Sequence, residues 1–282
     1  MNTPFFIAGA PKSGTSSLAY LLGIHPEIFI PHQKELFFFD FNYHLGINWY
    51  EQLFDQSGNK QILGDATPWY MSWGGVPERI AEHFPDARII FLLREPAARA
   101  WSHFWHDYSS LKIQLDLSPI EYFQQSPDPR RIRACSLYAT HLRRWLEVFP
   151  PRQILLASTR SLQDQPLLLL NAIAQFLGCT QAFELEGVPL GARRMPGLSP
   201  RSIPVKGLTY FQRNLGGSQF SVLADAINSH PRLKRLFFSL RSMPLSEDVK
   251  SWLCPIFESD YQQFVDLVGT DVVASTTPLL LG

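Results

Sequence analysis

Residues 5–22 read FFIAGAPKSGTSSLAYLL, in which an apolar run, a small-residue turn and a second apolar segment follow one another. Phe5–Ala8 predicts a buried strand, and Gly9–Thr15 predicts a turn. After the turn, Leu18, Leu21 and Leu22 recur at helical spacing. A strand, a glycine-containing turn and a helix in this order begin an α/β unit.

The same alternation continues along the chain. A second unit is predicted to have a helix at 76–83, a strand at 88–93 and a helix that begins near Pro96. A third has a helix, a strand at 154–157 and an apolar helix that stops at Gly178. Strands that alternate with helices pair in parallel through crossovers. We therefore predict a three-layer α/β fold, with a central, mostly parallel sheet flanked by helices.

The length of the chain fits one large domain. With 282 residues and 45% hydrophobic content, the chain can bury a substantial core, and we predict a single domain over residues 1–282. The stretch 188–217 is rich in Pro, Gly, Arg and Ser, which predicts a long loop that could move or cover a site. Two helices are predicted after it, at 221–240 and 246–268.

Charge and hydropathy argue against nucleic acid and membranes as partners of this protein. The 25 basic and 25 acidic residues balance to a net charge of zero, so no overall field would draw the protein to nucleic acid or to a membrane. No apolar run of about 18 residues and no secretory signal are visible, which predicts a cytoplasmic protein without membrane spans. The pattern leaves the oligomeric state unknown.

Cysteine usage predicts neither disulfides nor a metal. The three cysteines, Cys135, Cys179 and Cys254, are too few and too scattered for a disulfide framework. None has a nearby Cys or His at metal-ligand spacing. We expect reduced thiols in the interior and no bound metal.

The turn after the first strand is a candidate anion site. A helix N-terminus presents unpaired N–H groups and a favourable dipole, and Lys12 adds a cation. A strand-to-helix turn without a ligand is the alternative. The residues expected to bind are Pro11, Lys12, Ser13, Gly14, Thr15, Ser16 and Ser17.

The turn differs from the loop of nucleotide triphosphatases. That loop places its Lys directly after the last Gly and follows it with Ser or Thr. Here Thr15 follows Gly14, and Lys12 precedes both. A nucleotide kinase or triphosphatase is therefore disfavoured, although it remains the second class of enzyme to test.

A second anion element follows the strand at 88–93. Arg94 stands at the carboxyl end of that strand, where open α/β sheets bind ligands, and Ser102 lies about two helical turns further on. An arginine fork and a hydroxyl suit a phosphate dianion. A surface arginine at the edge of the sheet is the alternative.

These two elements together resemble a known family. Pro11–Leu18 resembles the 5′-phosphosulfate-binding loop of sulfotransferases that use 3′-phosphoadenosine 5′-phosphosulfate (PAPS), and Arg94 with Ser102 resembles their 3′-phosphate-binding segment. The resemblance implies a P-loop-like sulfotransferase fold and PAPS as co-substrate. It also implies that Lys12 contacts the oxygen that bridges the phosphate and sulfuryl groups.

Three further segments are similar to one branch of that family, the saccharide and small-molecule enzymes related to heparan sulfate sulfotransferases. They are Lys34–Asp40, Gly46–Tyr50 and Ala66–Tyr70. The similarity implies that Glu35 is the catalytic base that takes the acceptor's proton. A surface carboxylate paired with Lys34 is the alternative role. His32 is the competing base, and the weaker candidates are His44, His103 and His106.

The resemblance implies other nucleotide contacts. Tyr138 would lie against the nucleotide, and a basic loop with Lys206 and Gly207 would close over PAPS. A solvated basic loop, which also contains Arg193, Arg194 and Arg201, is nearly as consistent with the sequence. One position departs from the family. Saccharide members often have a Lys where this chain has Ala66, so that Lys34 or Lys206 would have to supply any second cation.

The acceptor is the least specified partner. A neutral protein without a basic surface suits a long polyanion poorly, which favours a small, natural-product-like molecule over a saccharide. Transfer to a hydroxyl and transfer to an amine both fit. A silent binding module on the same fold is the non-enzyme alternative. Aromatic residues that could stack on an acceptor ring are Trp49, Trp69, Trp73, Trp101 and Trp105.

Overall fold

The computed structural model describes most of the chain and divides it into two compact units. The described residues are 2–33, 35–113, 116–124, 131–184, 199–200, 208, 212, 217–230, 238–239, 244–275 and 277–281. The first unit comprises Met1–Pro96, Cys135–Ala192 and Phe257–Gly282, and the second comprises Ala97–Ala134 and Arg193–Ile256. The single domain that chain length suggests stays a prediction.

The first unit is built on a six-stranded sheet. Its strands are β1 (Phe5–Gly9), β2 (Ile28–Phe29), β3 (Ile62–Asp65), β4 (Ile89–Leu93), β5 (Ile154–Ser158) and β8 (Leu279–Leu280). Two short strands, β6 (Ser199–Pro200) and β7 (Phe238–Ser239), belong to the second unit. The order across the sheet is β2-β3-β1-β4-β5-β8. Every neighbouring pair is parallel except β5 with β8, which is antiparallel.

Helices connect the strands at nearly the predicted places. In chain order they are α1 (Thr15–Ile24), α2 (Ile47–Gln52), α3 (Val76–His83), α4 (Pro96–Ser109), α5 (Pro119–Gln124), α6 (Tyr138–Leu146), α7 (Thr159–Asp164), α8 (Pro166–Leu177), α9 (Gly217–Ser229) and α10 (Glu247–Val268). Short 3-10 turns lie at Tyr43–Leu45, Asp55–Ser57, Pro68–Ser72, Ala134–Ser136 and Pro151–Gln153.

Both faces of the sheet are buried, as parallel strands require. Alternate residues of β4 belong to different apolar clusters, with Phe91 on one face and Ile90 on the other. Trp145 of α6 belongs to the first cluster, whereas Leu22 of α1 and Ile173 of α8 belong to the second. The predicted three-layer α/β architecture is confirmed.

The helix after β1 has a fixed end. Lys60 donates hydrogen bonds from Nζ to the carbonyl oxygens of Gly23, His25 and Ile28 at 3.2, 3.0 and 2.7 Å. The last carbonyl groups of a helix lack partners within the helix, and a cation satisfies them well. Lys60 therefore anchors the carboxyl end of α1, whose other end carries the candidate anion turn.

The second unit packs around aromatic side chains. Trp101 stacks on Phe104 with ring centroids 5.9 Å apart, and Trp105 meets Trp101 edge-on at 5.3 Å. Phe123 of α5 stacks on Trp252 of α10 at 6.0 Å. These contacts place Trp101 and Trp105 within the packing of this unit. The short strands β6 and β7 pair antiparallel here.

One predicted helix was too long. The helix predicted at 221–240 is α9, which ends at Ser229, and β7 occupies Phe238–Ser239. Pro231 explains the end, because a proline disfavours helical backbone in the residue before it. The helix predicted at 246–268 is confirmed as α10. Most of the predicted loop at 188–217 lies outside the described residues.

The described part of the chain contains neither a helix that could span a membrane nor a group of side chains that could hold a metal ion. No helix there has the length and apolar character needed to cross a membrane. Nor do His, Cys, Asp and Glu side chains gather there in a group that could hold a metal ion. The three cysteines are free thiols.

Candidate active site

The carboxyl ends of four parallel strands form one edge of the first unit. Gly9, Asp65, Leu93 and Ser158 are the last residues of β1, β3, β4 and β5. Ligands of open α/β sheets bind at this edge, where loops diverge from the strand ends. The segments that follow these strands include the predicted site residues Lys12 and Arg94.

The turn between β1 and α1 has unused polar groups. Gly14 is the N-cap of α1 with φ +97°, and no side chain caps the helix. Within the described residues, no hydrogen bond uses the backbone N–H groups of Gly14 and Thr15. Ser13 is fully buried, and its hydroxyl has no hydrogen-bond partner there either. This turn thus offers donors to an anion at the positive end of a helix dipole.

The structure brings Arg94, from the second predicted anion element, to the turn between β1 and α1. Arg94 reaches the turn, with Nη1 3.5 Å from the carbonyl oxygen of Lys12. Thr159, the first residue of α7, lies with Oγ1 2.7 Å from the carbonyl oxygen of Ser13 and 3.0 Å from that of Leu93. Its hydroxyl links the turn to the end of β4. Sequence reasoning missed Thr159, although its place two residues after the predicted strand at 154–157 was a usable signal.

Tyr138 contacts the second anion element. Its side chain is fully buried, and Oη donates to the carbonyl oxygen of Arg94 at 2.7 Å and accepts from the N–H of Arg94 at 3.4 Å. Ser136 Oγ donates to the carbonyl oxygen of Pro96 at 2.9 Å. These bonds fix the backbone from which the Arg94 guanidinium extends. The predicted nucleotide contact of Tyr138 stays a prediction.

The remaining predicted binding residues lie in different parts of the chain. Ser16 and Ser17 are half-buried in the first turn of α1. Ser102 is half-buried on α4, in the second unit. The residues that lie outside the described part are Lys34, Arg193, Arg194, Arg201, Lys206 and Gly207.

Glu35 is half-buried at the start of an unusual loop, residues 35–42, which we call the Glu35 loop. Glu35 has φ +61° and Phe37 has φ +51°, both in the left-handed region that bulky residues rarely adopt. Asn42 closes the loop, donating from N to the Phe37 carbonyl at 2.8 Å and from Nδ2 to the Leu36 carbonyl at 3.2 Å. Burial raises the pKa of Asp40, and the charge of Glu35 adds a smaller increase.

A buried hydroxyl network lies against this loop. Tyr70 Oη accepts from the N–H groups of Phe38 at 3.0 Å and Phe39 at 3.3 Å, and donates to Asp65 Oδ2 at 3.1 Å. Asp65 also accepts from Tyr50 Oη at 3.3 Å and from Thr67 Oγ1 at 2.6 Å. The network therefore connects the end of β3 to the loop that carries Glu35.

The Asp65 carboxyl has a strongly shifted pKa. Complete burial raises the pKa from 3.8 to about 7, although hydrogen bonds from Thr67, Tyr70 and Tyr50 oppose the shift. The charge of Asp40 adds a smaller increase. Between pH 4 and pH 7, roughly, the folded state therefore holds one more proton than the unfolded state.

This shift predicts how stability depends on pH. The stabilising proton on Asp65 is fully present below the unfolded-state pKa and is lost as pH rises through the folded-state pKa. We expect the free energy of unfolding to fall with pH between about 4 and 7, by up to about 1.4 kcal/mol per unit from this group. Asp65→Asn should remove that slope when urea unfolding is measured at each pH.

The matched control is Asp164→Asn. Asp164 is exposed and pairs with Arg160 at 3.3 Å on the surface of α7. Its substitution should leave the pH slope of the parent protein in place. Parallel stability profiles for the parent and Asp65→Asn would contradict the shifted pKa.

The competing histidines differ in their surroundings. His32 is exposed, and exposed His44 has Nδ1 3.2 Å from the carbonyl oxygen of Phe41. His103 is buried in the second unit, with Nδ1 3.2 Å from Arg99 Nη1 and Nε2 3.7 Å from Asp107 Oδ2. Because both ring nitrogens of His103 have partners, this residue is a weaker base candidate than Glu35. His106 is half-buried on α4.

Three aromatic side chains, two of them in the Glu35 loop, contact one another and form what we call the aromatic surface. Phe41 is 57% exposed, with its ring centroid 4.7 Å from that of Trp73 and 5.8 Å from that of Phe37. Trp49, by contrast, stacks on the buried ring of Phe38 at 6.0 Å. Phe37 and Trp73 are half-buried, so Phe41 is the exposed member of this aromatic group.

The sequence of this chain is similar to those of known sulfotransferases. Residues 2–187 match the family model described as a sulfotransferase domain. The chain is 29% identical over 284 aligned positions to bifunctional heparan sulfate N-deacetylase/N-sulfotransferase 2 of Bos taurus, covering 88% of this chain and 30% of the relative. It is 33% identical over 191 positions to the corresponding enzyme 3 of Homo sapiens, covering 62% and 22%. The chain thus spans less than a third of the length of these relatives.

A solved structure has the same fold. The sulfotransferase from Alicyclobacillus acidocaldarius aligns with a TM-score of 0.68 and 23% identity, over 96% of this chain and 97% of that one. The likeness covers both units of the chain. At this identity it supports a common architecture, and the chemistry has to be argued from the residues described above.

Proposed function

This chain belongs to the sulfotransferase family, and from that premise we propose that it transfers a sulfuryl group from PAPS to a hydroxyl or amine of a small molecule. One observation carries the donor assignment. The turn with Lys12, a buried unpartnered Ser13 hydroxyl and unused N–H groups at Gly14 and Thr15 lies in contact with Arg94. These are the donors that two phosphate groups of one nucleotide would require.

The proposed chemistry is an in-line displacement. The acceptor's lone pair forms a bond to sulfur, the bond from sulfur to the bridging oxygen breaks, and that oxygen keeps the electron pair. Lys12 stabilises the charge that grows on this oxygen, and Glu35 accepts the acceptor's proton. Arg94 holds the 3′-phosphate. The proposed chemistry uses no metal ion, and among the described residues His, Cys, Asp and Glu side chains form no group that could hold one.

The proposed acceptor is a small molecule with an apolar or aromatic ring near its nucleophile. The aromatic surface supports this, because exposed Phe41 lies in the loop that carries Glu35 and its ring contacts that of half-buried Trp73. The charged balance of the sequence supports it as well, since a polyanion would gain little from a neutral protein. A saccharide acceptor is the alternative, favoured by the names of the heparan sulfate relatives.

Thermal unfolding with nucleotides tests the donor site. A ligand that binds only the folded state raises stability by mass action, by about 2.7 kcal/mol at a concentration 100 times its Kd. We expect 3′-phosphoadenosine 5′-phosphate (PAP), the desulfated product, to raise the Tm without Mg²⁺. Arg94→Gln should lose most of that rise.

The same titration separates the rival functions. A rise with ATP and Mg²⁺, and none with PAP, would overturn the proposal in favour of a nucleotide kinase. Binding of PAP without transfer from PAPS to phenols, alcohols, amines or N-desulfated heparan would instead indicate a silent binding module. Transfer to heparan alone would move the acceptor assignment to a saccharide.

A further inference from the structure

The backbone of the Glu35 loop needs anchors from outside the loop. Glu35 and Phe37 both have positive φ, at +61° and +51°. For bulky residues this conformation is strained, and it persists only where the surrounding structure fixes it. Strain of this kind is often held at functional sites, so the residues that hold the loop bear on the chemistry.

Tyr70 is one such anchor. Its hydroxyl accepts both the Phe38 and Phe39 N–H groups, at 3.0 and 3.3 Å. Because both lone pairs of a tyrosine hydroxyl are then used, its proton points to Asp65 Oδ2, which lies 3.1 Å away. Tyr70 and Asp65 are fully buried, so water does not replace these bonds when they are lost.

Arg79 holds the other side of the same segment. Its Nη1 donates to the carbonyl oxygen of Phe39 at 2.8 Å and to that of Asp40 at 3.3 Å. Its guanidinium also lies over the ring of Tyr43, 4.6 Å from the centroid. Tyr70 thus binds the N–H groups of the loop and Arg79 binds its carbonyl groups, so each anchor fixes a different set of atoms.

We propose that Tyr70, held by Asp65, is a positioning residue for Glu35 in sulfuryl transfer. The proposal rests on the proposed function, in which Glu35 takes the acceptor's proton. A general base has to lie within hydrogen-bond reach of that proton, and a displacement of about 1 Å can lower the rate about 100-fold. Without the two bonds to Tyr70, the strained backbone of the Glu35 loop relaxes and the carboxylate moves.

Tyr50 is a matched control. It is fully buried, and its hydroxyl donates to the same Asp65 Oδ2, at 3.3 Å. Its ring stacks on Phe38 with centroids 4.8 Å apart, but its hydroxyl bonds to no N–H group of the loop among the described residues. Tyr50→Phe therefore removes a comparable buried hydrogen bond without releasing the loop.

Amide hydrogen exchange tests the anchoring itself. We expect the peptide covering residues 35–42 to exchange about tenfold faster in Tyr70→Phe than in the parent protein, because two amides lose their acceptor. Tyr50→Phe should leave that peptide within about twofold of the parent rate. Equal exchange in the parent and Tyr70→Phe would overturn the proposal. The exchange experiment requires no acceptor substrate.

Kinetics test whether the anchoring serves catalysis. Transfer from PAPS to p-nitrophenol, benzyl alcohol or benzylamine is measured as PAP formed. Tyr70→Phe should lower kcat about 10- to 100-fold at unchanged Kd for PAP, with little change in Tyr50→Phe. In a Glu35→Gln background, Tyr70→Phe should lower kcat no further, because its effect passes through Glu35.

The outcomes separate this proposal from the proposed function. Equal losses of kcat in the two tyrosine variants, or an additive loss in the Glu35→Gln background, would overturn the positioning role. A parent protein that transfers to none of the acceptors would count against the proposed function, while the exchange experiment would still decide whether Tyr70 holds the loop. Asp65→Ala, which leaves the Tyr70 proton without its acceptor, should also speed exchange of residues 35–42, and parent-like exchange there would contradict the role of Asp65.

Discussion

Lys12→Ala is expected to lower kcat for sulfuryl transfer by about 100- to 1,000-fold and to change the Kd for PAP by less than about threefold. The Lys12 ammonium would stabilise charge that develops on the bridging oxygen only as the bond to sulfur breaks. An interaction made mainly in the transition state affects kcat more than ground-state binding. The measurements are steady-state turnover of PAPS and calorimetric titration with PAP.

Arg94→Gln should show the opposite effect, with a large change in the Kd for PAP and a small change in kcat. The 3′-phosphate is present in PAPS, PAP and the transition state alike, so a lost contact with it weakens binding uniformly. We expect the Kd for PAP to rise about tenfold or more, with kcat at saturation within about threefold of the parent value. A large loss of PAP affinity in Lys12→Ala, with kcat unchanged, would contradict the assigned role of Lys12.

Glu35→Gln is expected to produce the second large loss, of about 100-fold or more in kcat, at unchanged PAP affinity. Positioned general bases contribute roughly 100- to 10,000-fold, and glutamine has the shape of glutamate without its basicity. Because glutamine cannot take the acceptor's proton, the loss should be greater for alcohols than for phenols, whose protons leave more readily. The measurement is kcat for a phenol and an alcohol of similar shape.

His32→Gln is the control for this assignment. His32 is exposed and lies three residues before Glu35 in the same segment. Its removal should leave kcat within about twofold of the parent value. If Glu35→Gln retained full activity and His32→Gln lost it, the base would be His32, and the positioning role of Tyr70 would have to be reconsidered with it.

Much of the fold was predictable because its signals are local. The strand, turn and helix at residues 5–22 were predicted and are β1, the anion turn and α1. Apolar runs also predicted β4 and β5, and Gly178, in the left-handed conformation at the end of α8, marked that helix end. The short strands β2, β3, β6, β7 and β8 escaped prediction, since two to four residues carry too little pattern to distinguish a strand from a loop.

Some residues of the candidate site could likewise be identified from local signals in the sequence, and others could not. Lys12 and Arg94 could be identified from sequence, because each follows a recognisable strand and the carboxyl ends of parallel strands share one edge of the sheet. Thus the sequence by itself determined the layer architecture, the place of the turn between β1 and α1 and the residues that we propose to bind phosphate.

Only the tertiary structure decided what holds these residues in place. Thr159 bonds to Ser13 across 146 residues of chain, Tyr138 to Arg94 across 44, and Tyr70 to Phe38 across 32. Hydrogen bonds between residues so far apart leave no periodic pattern in the sequence, because they depend on how the strands order themselves in the sheet. The same holds for the pKa of Asp65, which burial beneath the Glu35 loop raises to about 7. Burial is a property of the packed chain, and no run of neighbouring residues specifies it.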